Sequence, residues 1–109
     1  MKILFDNGTP KPIAAWLVGH QITHARQIGW HELTNGELIA RAEAAGFDVL
    51  LSTDKNIRYQ QNLNHRRIAI VVLEHSQWPL VKRAAPQIVA AIEAALPGSY
   101  IEVPVPFQD

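Results

Sequence analysis

The segment Ile68-Ala69-Ile70-Val71-Val72-Leu73, led in by Arg67, is apolar without interruption and rich in β-branched residues. A strand with no polar alternation has no face to turn to water. It belongs inside a sheet covered on both sides, as in parallel α/β architectures. Two further runs carry the same mark. Ile3-Leu4-Phe5 ends in the turn residues Asp6-Asn7-Gly8, and Phe47-Asp48-Val49-Leu50-Leu51-Ser52 is closed by Thr53-Asp54-Lys55-Asn56. Gln21 to Ala25 reads as a more exposed strand, and Tyr100-Ile101-Glu102-Val103 as an edge strand.

Helical patterns separate these strands. Thr9-Pro10 predicts a helix start with Thr9 as the cap and Ile13, Ala14, Trp16 and Leu17 as the buried stripe. Arg26 to Leu33 reads as a loop. Thr34-Asn35-Gly36-Glu37 matches the capping box, in which Thr and Glu each satisfy the other's free N–H, and Leu38, Ile39 and Ala42 follow as the buried stripe. A short helix is expected through Arg58, Gln60 and Gln61. The long segment from Pro79 to Leu96 repeats apolar residues every three or four positions, with Pro86 expected to kink or divide it. The alternation predicts an α/β fold: a single domain over residues 1–103, a mainly parallel sheet of four to five strands flanked by helices, right-handed crossovers, and a loose tail at 104–109.

Composition narrows the function. The chain has 109 residues, no cysteine and a formal net charge of zero. Disulfide scaffolds, cysteine zinc sites and thiol nucleophiles are excluded. The five histidines lack ligand spacing: His20 and His24 fall on an extended segment and His31 in a loop. No phosphate-loop, dinucleotide or nucleophile-elbow pattern occurs. No signal peptide or membrane-length apolar run is visible, so a cytoplasmic location is expected. A neutral chain is a poor fit to a duplex-gripping protein, but Lys55, Arg58, His65, Arg66 and Arg67 form a local basic segment.

In an open α/β sheet, ligands bind beyond the carboxyl ends of the strands. The residues delivered there are Asp6 and Asn7, then Ser52, Thr53, Asp54 and Asn56, then Glu74 and His75, with Asn35 and Glu37 at a helix start. Asp6, Asp54 and Glu37 can together hold a magnesium or manganese ion, since such ions take oxygen ligands and use one or two carboxylates with water and phosphate. Each residue also has a purely structural explanation. Asp6 can cap the turn at Gly8 or Thr9, Glu37 can serve the capping box, Asp54 can cap the short helix, and Asn35 can occupy a turn. The amide-rich stretch Tyr59-Gln60-Gln61-Asn62-Leu63-Asn64 fits a polar helix face or the reading of base edges. Trp30 and Trp78 fit core anchors or stacking platforms.

With these residues placed, the chain resembles the PIN-like family of small bacterial proteins related to VapC-type toxins. The resemblance rests on Lys2-Ile3-Leu4-Phe5-Asp6-Asn7 with Pro10, on Gly19-His20 through Gly29, Asn35, Glu37 and Leu38, and on Val49-Leu50-Leu51-Ser52-Thr53-Asp54-Lys55-Asn56. It implies a PIN-type fold with an acidic magnesium or manganese site, RNA cleavage and toxin–antitoxin pairing. The chain departs from the family where Asn7, Asn35 and Asn56 stand at positions that tend to be acidic. Amides carry no charge, so these exchanges weaken attraction for a divalent ion and build a neutral hydrogen-bonding pocket.

Two functions follow. One is a metal-dependent endoribonuclease, the toxin of a toxin–antitoxin pair, with Asp6, Glu37 and Asp54 on the ion. In that reading Asn7, Asn35 and Asn56 position water or phosphate, and Lys55, Arg58 and Arg66 contact the RNA backbone. The other is a catalytically weakened or inactive module that binds RNA or a protein partner. The small size and apolar helices also allow an antitoxin-covered surface or a homodimer.

Overall fold

In the computed structural model, which describes residues 1–60, 63 and 65–106, five parallel strands form one sheet. They are β1 (Lys2–Phe5), β2 (Gln21–His24), β3 (Val49–Ser52), β4 (Ala69–Leu73) and β5 (Tyr100–Val103), in the order β2-β1-β3-β4-β5. Gln61, Asn62 and Asn64 of the amide-rich stretch and residues 107–109 lie outside the described residues. The parallel α/β expectation is met, and the central strands show why. β3 and β4 are buried at every position, whereas the edge strands β2 and β5 are mostly half-exposed.

Strand alternation divides the core into two. Ile3, Phe5, Val49, Leu51, Val71 and Leu73 point to one face, and Leu4, Leu50, Ile70 and Val72 to the other. The register makes this consistent, pairing Ile3 with Val49 and Val49 with Ala69. Helix α1 (Asn35–Ala44) covers the second face through Leu38, Ile39 and Ala42, joined by Ile57 of α2 (Ile57–Gln60). The first face is covered by a 3-10 helix at Lys11–Trp16 together with α3 (Trp78–Arg83) and α4 (Ala85–Ala94). Trp30 and Trp78 both pack partly buried against these cores, which is the anchor role. Among the described residues no helix is long and apolar enough to cross a membrane.

Several local expectations are corrected. Thr9 does not cap a helix. Its side chain is buried and its hydroxyl bonds elsewhere, Pro10 takes the cap position, and the segment winds as a 3-10 rather than an α-helix. Within it only Ile13 is buried, while Trp16 is 42% exposed. Part of the expected Arg26–Leu33 loop is a 3-10 helix at Ala25–Ile28, closed by Gly29 in the left-handed conformation at φ 75°. Pro86 does divide the last helical segment: α3 ends before Ala84, and Pro86 sits in the first turn of α4, where a missing N–H costs nothing. The tail at 104–106 is docked rather than loose, with Val105 buried and its N–H donating to Glu74 Oε1 at 3.1 Å.

The crossovers do not all share one hand. The β1-to-β2 and β4-to-β5 connections run in opposite directions across the sheet yet cover the same face. The connections from β2 to β3 and from β3 to β4 run with the latter but on the other face. The β4-to-β5 crossover is therefore opposite in hand to the other three. The uniformly right-handed set of crossovers that general preference leads one to expect is thus not kept.

Candidate functional site

The order β2-β1-β3-β4-β5 places a topological switch point between β1 and β3, where the chain leaves in opposite directions. A crevice opens at such a point beyond the strand carboxyl ends. Asp6 and Ser52 meet there. They lie one step beyond the Phe5–Leu51 pair, and the Asp6 N–H still bonds the Leu51 carbonyl at 3.1 Å, so both side chains leave the sheet on the same side.

A continuous hydrogen-bond chain follows. Ser52 Oγ donates to Asp6 Oδ2 in a short contact and accepts from the Asp54 N–H at 3.0 Å. Asp54 Oδ2 accepts from Asn35 Nδ2 at 2.7 Å, and Asp54 Oδ1 accepts from the Asn56 N–H at 2.9 Å. On the other side, Asp6 Oδ1 accepts from the Gly8 N–H at 3.2 Å and lies 3.0 Å from Thr9 Oγ1, whose proton also reaches the Leu51 carbonyl at 2.8 Å. The turn needs a glycine at position 8, since a Cβ there would stand 2.4 Å from Thr53 Oγ1.

Burial pushes the Asp6 carboxyl above its ordinary value of 3.8, and the neighbouring Asp54 charge pushes the same way. The bonds from Ser52, Thr9 and Gly8 offset only part of this. Glu37 behaves differently. Its Oε1 accepts from the Thr34 N–H at 3.1 Å and from the Thr34 hydroxyl at 3.0 Å, closing the expected capping box, and these bonds hold its carboxyl below the ordinary range.

The structure thus joins Asp6, Ser52, Asp54 and Asn35, and gives Glu37 a structural task. The three amides do not share a single set of partners. Asn35 reaches Asp54, Asn7 Nδ2 donates to the His31 carbonyl at 2.6 Å and pins the loop before α1, and Asn56 meets Asp54 through its backbone. Nor is the basic segment one patch. Lys55 follows β3 at the site edge, and Arg58 pairs with Glu102 at 3.9 Å. Arg66 pairs with Glu43 at 3.7 Å, where the last turn of α1 meets the amino end of β4, on the opposite edge of the sheet. A cavity of about 600 Å³ lies on that opposite edge too, but its carboxylates Glu43 and Asp48 already bind backbone N–H groups of Arg67, Ile68 and Lys2.

Sequence reasoning undervalued Ser52, the link between the two acids. The signal for it was a serine closing an otherwise apolar strand, which must be buried and therefore bonded. It also missed a small pocket of about 40 Å³ beside Asp6, walled by Asn7, Thr9, Lys11, His24, Ala25 and Arg26.

The donor set suits a hard cation in part. Counting two lone pairs per carboxylate oxygen, Asp6 Oδ1 is filled, Asp6 Oδ2 has one place left, and each Asp54 oxygen has one. Two carboxylates with open lone pairs fit magnesium, which keeps much of its water. Among the described residues no group of three or more His, Cys, Asp or Glu side chains gathers as a metal cluster. No protein-family model matches the chain, and no curated protein and no solved structure matches it either.

Proposed function

We propose that this chain is a PIN-like, metal-dependent endoribonuclease whose acidic site is reduced to Asp6 and Asp54. The observation that carries the reading is the hydrogen-bonded chain Asp6–Ser52–Asp54 at the switch point of a parallel sheet. Asp6 and Asp54 would hold a magnesium or manganese ion, which when bound supplies an activated water and neutralises charge at a phosphodiester. The chain's own contribution is orientation. Ser52 fixes the spacing of the two acids, Thr9 and Gly8 fix the rotamer of Asp6, and Asn35 fixes that of Asp54. Glu37 keeps the helix start in place, so that Asn35 reaches the site. Pairing with an antitoxin rests on the family resemblance alone.

The test is manganese-stimulated cleavage of single-stranded RNA by the wild type and by Asp6→Asn and Asp54→Asn. Loss of cleavage in both, with thermal unfolding still cooperative, is the expected result. Cleavage unchanged in both would rule the site out.

A second reading has its own support. Asn35 donates to Asp54 Oδ2, occupying an oxygen that a fully acidic site would leave to the ion. In that version the site binds RNA or a partner without cutting. Calorimetric titration with magnesium and manganese separates the two, because saturable binding at millimolar metal or below counts against the metal-free version.

A further inference from the structure

Lys11 and Arg26 are far apart in sequence and belong to different crossovers, yet they flank the same small pocket. Lys11 opens the 3-10 helix after β1, and Arg26 lies in the 3-10 helix after β2, so both stand at the carboxyl edge of the sheet. Both are exposed, and among the described residues neither makes a salt bridge with a carboxylate. This contrasts with Arg58 and Arg66, whose guanidinium groups pair with Glu102 and Glu43. Asp6, Asn7, Thr9, His24 and Ala25 complete the lining of this pocket. At roughly 10–15 Å³ per ordered water, its volume of about 40 Å³ suits a few oxygen atoms and not a nucleobase. Two cations lining an oxygen-sized pocket favour an oxyanion, and a planar guanidinium together with an ammonium is a suitable pair for phosphate.

We infer that Lys11 and Arg26 form a phosphate-binding subsite, which holds a backbone phosphate of single-stranded RNA against the Asp6 side of the site. The inference rests on the nuclease reading for its choice of ligand and goes beyond it in naming the residues that grip the strand. Position supports it. A phosphate in this pocket adjoins the Asp6 end of the acid pair, so the strand crosses the carboxyl ends of β2, β1 and β3 in turn. His24 adds a neutral wall: burial and the nearby Lys11 charge hold its imidazole below the ordinary 6.5, and its ring stands edge-on to Phe5 with centroids 5.1 Å apart.

The experiment has two arms. In the first, inorganic phosphate is titrated into isotope-labelled protein, with and without magnesium, and backbone amide resonances are followed. Saturable shifts centred on residues 6–11 and 24–26 are expected. Shifts centred elsewhere, or none in either condition, would overturn the subsite. In the second arm, binding of a short fluorescent oligouridylate is measured in chelator, where no cleavage occurs, across a range of salt. The double variant Lys11→Gln, Arg26→Gln should bind about ten-fold more weakly. Its slope of log affinity against log salt should be shallower by about 0.7 for each phosphate the variant no longer neutralises. Arg41→Gln, an exposed position in the last turn of α1 at the opposite edge of the sheet, should change affinity far less. Wild-type affinity and slope in the double variant would overturn the inference. Both residues are exposed, so the variants are expected to fold, and thermal unfolding checks this. The two readings fail separately. Phosphate bound without RNA cleavage removes the nuclease and keeps the subsite, whereas cleavage with unchanged binding in the double variant removes the subsite and keeps the nuclease.

Discussion

Asp6 lies where a carboxylate is electrostatically disfavoured, at the end of a buried strand and beside a second acid. Its folded-state value is raised above the unfolded one, so its stabilising contribution belongs to the neutral form. That contribution is complete below about pH 3.8 and is lost as the pH rises through the raised value. Glu37 and Glu43 have lowered values and act in the opposite sense: their stabilisation is present above about 4.5 and fades as the pH falls. Comparing urea unfolding of the wild type with Asp6→Asn across acid and neutral pH isolates the Asp6 part. The difference curve should show the variant gaining relative stability as the pH rises. A flat difference would mean that burial does not disfavour this charge. Under the nuclease reading magnesium reverses the balance, so adding it should raise the thermal midpoint of the wild type and leave that of Asp6→Asn unmoved. Gly8 is a second residue with a sharp expectation. Gly8→Ala drives a methyl against Thr53 Oγ1 and should cost about 1–3 kcal/mol in equilibrium unfolding, as overpacking usually does.

Among the elements, α1 is fastened at both ends by carboxylates with different tasks. At the site end, Thr34 and Glu37 cap each other's backbone, and Thr34→Ala should cost about 1 kcal/mol. At the far end, Glu43 Oε2 accepts from the N–H groups of Arg67 and Ile68 at 2.6 and 3.2 Å, tying the helix to the entry of β4. Glu43→Ala should cost about 2 kcal/mol, the scale of one hydrogen bond to a charged group, while Glu43→Gln should cost much less in the same denaturation assay. Glu37→Gln keeps the cap, because glutamine serves the same position in the capping box. Under the nuclease reading it should leave metal-stimulated activity near the wild-type level, and complete loss would add Glu37 to the ion's ligands. Elements governed by local chemistry were legible in the sequence: the capping box from Thr34 and Glu37, the division at Pro86, and the fully buried β4 from its unbroken apolar run. The segment after Asp6 was not, because the partner of Thr9 is the Leu51 carbonyl, which is distant in sequence. The basic segment misled for a related reason. Nearness in sequence put Lys55 and Arg66 together, although a helix between them carries the chain to the other edge of the sheet.

For the whole molecule, strand composition announced a parallel sheet but not the order of its strands, and the site depends on that order. Asp6 and Asp54 converge only because β1 and β3 are neighbours. The opposite hand of the last crossover was equally hidden, since it follows from which face α3 and α4 choose. That choice has a consequence for how the chain is made. The face under α1 and α2 can close as soon as β4 is in place, because every residue it needs from a helix precedes that strand. The other face joins Ile13 and Leu17, near the start, to Val81, Ala85, Ile88 and Ile92, near the end. A growing chain released up to β4 therefore presents a sheet dressed on one side and covered on the other only by the 3-10 helix at Lys11–Trp16. A fragment of residues 1–76 should bind a hydrophobic-surface dye, and a peptide of residues 77–105 added in trans should quench that binding. Half of this small core waits for the stretch that follows β4, and until that stretch is made the nascent chain offers chaperones one broad apolar surface.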